Sequence, residues 1–143
     1  MANYSSDQNL QKVDSAVFDW LAEGESFDAL RDHVTRRINL FLQRRGVWAL
    51  LKARGLLTED DLVDTTKLLN PEDVSDLEDT WLRELVYFDR INNCREGDAL
   101  FYKSRLLRQE RIRRLRDLVL IIDEDGDGVA DEPPIHPAGN LRG

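Results

Sequence analysis

Asn70-Pro71-Glu72-Asp73 opens the stretch that most constrains what this chain can fold into. Asparagine at the cap, proline at the first helical position and acids in the first turn are a helix start. Beyond it Val74, Leu77, Trp81, Leu85 and Phe88 recur at helical spacing, and Leu82, Val86 and Ile91 widen the face. Asn92-Asn93 and Gly97-Asp98 weaken the pattern. Asp98 can then cap a further helix through Ile122, bearing Phe101, Tyr102, Leu106, Ile112, Leu115, Val119 and Ile122. An acidic helix followed by a basic one predicts an antiparallel hairpin with complementary surfaces. Unbroken, the same stretch would be one rod of about 50 residues and roughly 75 Å; Gly97 favours the break.

Upstream, residues 1–12 are polar and predict a flexible N-terminal arm. Residues 13–22 predict a short helix with Val13, Val17, Trp20 and Leu21 on one face, ended by Gly24. Ser26 can cap a helix to about Arg45 whose stripe is Phe27, Leu30, Val34, Ile38 and Phe41. Its other face carries Arg31, Arg36, Arg37, Arg44 and Arg45, read as solvated or turned to an acidic partner. Residues 47–51 continue as a short buried helix ending at Gly55. Thr58-Glu59-Asp60-Asp61 has the look of a capping box and predicts another helix to about Leu69. No strand-like alternation and no internal repeat occurs. The fold class is therefore all-α: a bundle of five or six helices over residues 13–122, with Trp20, Trp48, Trp81, Phe41 and Phe88 as core anchors.

A chain of 143 residues, 41% hydrophobic, is long enough for one domain with a real core. No run approaches the roughly 18 apolar residues of a membrane span. The N-terminus lacks a basic-then-apolar signal, so the expectation is synthesis in a cytoplasm, with a virion or another released assembly as a destination. The single cysteine, Cys94, excludes an intrachain disulfide and a multi-cysteine metal site. The net charge of −8 is laid out in blocks. Residues 26–54 sum to +5, residues 58–98 carry 13 acids and 4 bases, and residues 103–117 carry 7 bases and 2 acids. Such alternation predicts pairing between elements or between copies. Arginine outnumbers lysine 16 to 4, which suits bidentate pairing at interfaces and also follows from a GC-rich genome.

Residues 123–132 are the one local motif with chemistry attached. Asp123, Asp125, Asp127 and Asp131 fall at loop positions 1, 3, 5 and 9, and Gly128 at position 6. Hard carboxylate oxygens at that spacing converge on a hard cation, Ca2+ foremost. The three leading aspartates would give side-chain oxygens and Val129 its backbone carbonyl. Asp131 would bind directly or through water, and Glu132 would be a substitute ligand. The segment resembles the calcium loops of the EF-hand superfamily, especially the short forms in dockerins and thrombospondin type 3 repeats. That resemblance covers about ten residues and implies a calcium site. It departs at position 12, where Pro134 replaces the usual bidentate acid, and Pro133-Pro134 forbids an ordinary exiting helix. A lone loop of this kind implies affinity nearer millimolar than micromolar. Two other readings stand beside it: an acidic solvated turn, and a loop neutralised by Arg111, Arg113 and Arg114 of a neighbouring copy. Residues 133–143 predict an extended C-terminal tail, free or ordered on a partner.

Catalytic constellations are missing from the sequence. His33 and His136 are far apart, and no nucleophile elbow, phosphate loop or dinucleotide fingerprint occurs, so a non-enzymatic role is expected. Arg105, Arg108, Arg111, Arg113, Arg114 and Arg116 wrap their helix instead of forming one face, and the net negative charge repels phosphate, which argues against direct nucleic-acid binding. What remains is a structural or assembly protein acting in several copies, a homo-oligomer that meets other subunits through charged helical faces and terminal arms. A small helical body with arms is similar in architecture to head-to-tail connector or neck proteins of tailed bacteriophages, which implies a virion component. The alternative from another class is a calcium-dependent protein-binding module.

Overall fold

Five α-helices carry the chain in the computed structural model, which describes residues 2–91 and 97–139. They are α1 (Asp7–Val13), α2 (Asp28–Arg44), α3 (Val47–Ala53), α4 (Pro71–Ile91) and α5 (Gly97–Asp117), with short 3-10 helices at Ser15–Trp20 and Thr65–Lys67. The fold is all-α. Among the described residues, extended backbone pairs only as isolated bridges, Leu57 with Val63, Leu68 with Ile122, and Leu120 with Ile135.

The helix ends follow local chemistry. The Ser26 hydroxyl accepts the Asp28 amide at 3.3 Å just ahead of α2, but the cap position expected for Ser26 falls to Phe27, whose side chain makes no capping bond. Gly55 closes α3 at a φ of +68°. Its amide reaches back to Lys52 and that of Leu56 to Leu51, a paired C-terminal cap that needs the left-handed conformation glycine supplies. The core runs between α2 and α4: Val34, Ile38 and Leu42 face Leu77 and Leu82, joined by Leu10, Leu51, Leu120 and Ile122. α5 returns antiparallel along α4. Lys103 lies over the Tyr87 ring and Arg111 over Trp81, so the hairpin pairs early α5 with late α4. Asn92, Asn93 and Cys94 lie outside the described residues, as does the side chain of Asp98.

Several sequence expectations are corrected. The predicted flexible arm is packed: Leu10 is fully buried, and the Tyr4 and Ser5 amides both donate to Glu78. The α-helix falls earlier than expected: α1 occupies Asp7–Val13, within the predicted arm, while residues 15–20 of the helix expected over 13–22 form only a 3-10 helix and Val13 is exposed. Residues 58–69 form no α-helix. The Thr58 hydroxyl accepts the Leu62 amide, and Asp64 accepts from both the amide and the hydroxyl of Thr66. These side chains satisfy the backbone locally and compete with a helical ladder. α5 stops at Asp117, and residues 118–122 are extended, with Leu118, Leu120 and Ile122 buried. Phe88 is not a core anchor: it is 59% exposed, because the buried stripe of α4 runs through Val74, Leu77, Leu82 and Val86. Trp20, Trp48, Trp81 and Phe41 pack on the core while only partly buried. The predicted tail is pinned through Ile135, which exchanges two backbone hydrogen bonds with Leu120 at 2.8 and 3.0 Å.

Arg31, expected on a face either solvated or turned to an acidic partner, is buried between α2 and α4. It pairs with Asp79 at 3.1 Å, Glu78 at 3.4 Å and Asp7 at 2.9 Å. Thr35, Ser5 and Tyr4 complete the polar shell. A buried guanidinium is tolerated because carboxylates surround it.

Candidate metal centre

The acidic loop hangs from two pairings at its start. Leu69 donates to Ile121, and Asp123 donates to Lys67 at 2.9 Å, laying residues 120–123 beside the segment leading into α4. The Asn70 side chain reinforces this by accepting the Ile121 amide and donating to the Val119 carbonyl. The residue expected to cap α4 thus serves as a clamp, its side-chain oxygen taken by the Ile121 amide. At the far end the Asp131 amide donates to Ile122 at 2.9 Å, closing the loop onto itself.

Within the loop, carboxylates of Asp123, Asp125, Asp127 and Asp131 bring one oxygen each within 4.8 Å of one another, a group that could hold a metal ion. Asp123 is the organiser and is 7% exposed. One of its oxygens accepts the Gly126 and Asp127 amides at 3.0 and 3.2 Å, and the other accepts Gly128 at 2.9 Å. Gly126 and Gly128 sit at φ +72° and +81°, the left-handed turns that aim those amides inward. Asp127 accepts the Val129 amide at 2.8 Å, and Asp131 accepts the Glu124 amide at 2.6 Å.

The electrostatics divide the set. Desolvation works to raise Asp123, but the Gly128 amide and the hydrogen bonds with Asp125 and Asp127 outweigh it and hold its carboxyl below the usual range. Asp125 is pushed the other way, first by its hydrogen bond with Asp123 and further by the charges of Asp127 and Asp131. Carboxylates this close repel unless a proton or a cation lies among them. A divalent cation would relieve that repulsion, and all-oxygen donors suit a hard ion.

Of the residues singled out from sequence, the four aspartates come together. Glu132 does not join them and is ion-paired with Arg54, which also holds Glu124 at 3.0 Å. Val129 presents its side chain outward, 64% exposed. Arg54 was missed by the sequence reading; the only hint was the basic block over residues 26–54 facing the acidic block over 123–132. The neighbour-neutralising role foreseen for Arg111 and Arg114 is weakened within the chain, since they pair with Glu84 and Glu110. His33 accepts from Arg37 on the exposed face of α2, and His136 is exposed near the tail. No described helix is long and apolar enough to cross a membrane. Compared with known protein families, curated proteins and solved structures, the chain matches none.

Proposed function

We propose that this chain is a non-catalytic assembly component acting in several copies, and that its C-terminal loop takes Ca2+ through Asp123, Asp125, Asp127 and Asp131. The observation that carries the reading is the convergence of these four carboxylates on a loop tied to the body at both ends. The Arg54 bridge to Glu124 and Glu132 supports it, because it fixes the loop against α3 without consuming the converging aspartates. Pro134 supplies no twelfth-position ligand, so the site is a weak one, filled where calcium is roughly millimolar. That suits a released particle such as a virion better than a cytosol. A cation there would set the direction in which residues 133–139 leave the loop.

The test is sedimentation velocity with multi-angle light scattering at micromolar protein, in millimolar calcium and then in chelator. A discrete multi-copy species that dissolves or changes size in chelator supports the reading. A monomer indifferent to both conditions overturns it and leaves a calcium-independent monomer in its place.

A further inference from the structure

Early α5 and late α4 enclose an open groove of about 440 Å³ lined by Leu85, Phe88, Phe101, Arg105 and Arg108. Phe88 is 59% and Phe101 54% exposed, unusual for two adjoining phenylalanines on a small helical protein. The charges in the groove are not balanced. Arg111 at its floor is neutralised by Glu84, whereas Arg105 and Arg108 have no ion-pair partner among the described residues. The groove is therefore apolar at its centre and positive at its edge. It calls for an acidic segment carrying an apolar side chain.

The chain itself carries such a segment. The loop over residues 123–132 presents Val129 outward, flanked by Asp125, Asp127 and Asp131, and only its outer acids Glu124 and Glu132 are paired, with Arg54. With one divalent ion among its four aspartates the loop remains net negative, so cation and arginines are not rivals for it. Loop and groove cannot meet within one copy. The loop is anchored at residues 67–70, just before α4, and the groove lies at residues 85–88 near its other end. At 1.5 Å per residue those points are separated by roughly 22 Å.

We propose that the groove receives the acidic loop of a second copy, with Val129 between Phe88 and Phe101 and the loop's aspartates against Arg105 and Arg108. The contact is head-to-tail, and repetition of such a contact gives a ring or an open filament. The proposal rests on the assembly reading above and names the surfaces through which assembly occurs.

Two variants separate the surfaces. R105E/R108E reverses the groove and leaves the loop intact. V129R spoils the loop tip and leaves all four aspartates for the cation. All three positions are exposed, and circular dichroism melts check that both variants fold. In millimolar calcium, wild type should form multi-copy species by sedimentation, and each variant alone should run as a monomer. Their equimolar mixture should form a heterodimer and nothing larger, since one intact groove then meets one intact loop. Variants that assemble as wild type does overturn the proposal while leaving the assembly reading standing. A mixture that stays monomeric also overturns it. A monomeric wild type overturns both, and the groove then belongs to a different protein.

Discussion

The Arg31 guanidinium donates to Asp79 at 3.1 Å from a position where 3% of the residue reaches solvent. Glu78 and Asp7 share the same guanidinium, so one buried cation serves three acids drawn from the N-terminus and α4. Removing one partner of a buried pair leaves uncompensated charge, and that costs far more than the pair is worth in net terms. Arg31→Ala should lower stability by roughly 3–5 kcal/mol. The check is urea denaturation, where the midpoint should fall without a change in slope.

The same cluster sets a pH dependence. Burial is the largest influence on Glu78 and Asp79, and it holds both above the ordinary carboxylate range despite the bonds from Thr35, Ser5 and Arg31. The folded state therefore keeps protons that the unfolded chain has released. Above the unfolded value of about 4, and up to the raised folded values, these groups make stability fall as pH rises. Arg31, Asp7 and Asp76 are the other charges facing the pair, and the arginine stays protonated throughout. Glu78→Gln removes one of the two titrations. The difference in Tm, variant minus wild type, should grow from about pH 4 toward neutrality; a difference that is flat or shrinks would sink the argument.

Arg111 ties the hairpin together in a way lysine cannot reproduce. It meets Glu84 with two nitrogens, at 2.5 and 3.3 Å, while its guanidinium lies 4.9 Å from the centre of the Trp81 ring. A planar fork can bond a carboxylate and stack on an indole together; an ammonium is a point charge that does one or the other. Arg111→Lys should cost about 1–2 kcal/mol although the charge is kept. Thermal melts of Arg111→Lys and Arg111→Met read this out. Equal stability of Arg111→Lys and wild type would show that charge alone matters here.

Local signals explain what could be read from the sequence. Pro71 starts α4 and Gly55 ends α3 because cap chemistry sits within a few residues of the cap. The four aspartates were legible for the same reason, since their spacing lies within nine residues. Long-range polar partners were not legible. Arg31 lies on the polar face of a helical wheel, and acids distant in sequence, Glu78 and Asp79 at 47 and 48 residues and Asp7 at 24, turn that face inward. The N-terminal segment is held mainly by Tyr4, Ser5 and Asn3, residues that no apolar pattern marks as core. The run Leu118-Val119-Leu120-Ile121-Ile122 is apolar throughout, and a continuous apolar run fits a buried strand as well as a helix. Its pairing with Leu68 and Ile135 decides the matter.

That pairing gives a further test. Ile135 donates its amide to Leu120 at 3.0 Å and accepts the Leu120 amide at 2.8 Å. Ile135→Pro keeps an apolar side chain but removes the donor. The Leu120 carbonyl is then left without that partner, and an unmet buried acceptor costs about 1–3 kcal/mol. Amide exchange at Leu120 should accelerate in the variant, and the melt should shift down. If neither moves, the tail does not brace the strand-like segment under the loop.

The two inner aspartates of the loop should separate architecture from cation binding. Asp123 accepts the amides of Gly126, Asp127 and Gly128, so it shapes the loop whether or not an ion is present. Asp125 accepts only the Asp127 amide, at 3.3 Å, and is held up in its protonation by Asp123 and the neighbouring charges. Removing charge at Asp125 relieves repulsion in the empty loop and takes one hard oxygen from the filled one. Asp125→Asn should therefore melt at or slightly above wild type in chelator. It should bind calcium roughly tenfold more weakly, as expected from loss of one charged ligand. Asp123→Ala should lower the melt in chelator as well as in calcium, because its three amides lose their acceptor. Calcium titration calorimetry together with paired melts distinguishes these outcomes. If Asp125→Asn binds calcium as tightly as wild type does, Asp125 is not a ligand; if neither binds it, the converging carboxylates are only an acidic turn held by the loop's own hydrogen bonds and by Arg54.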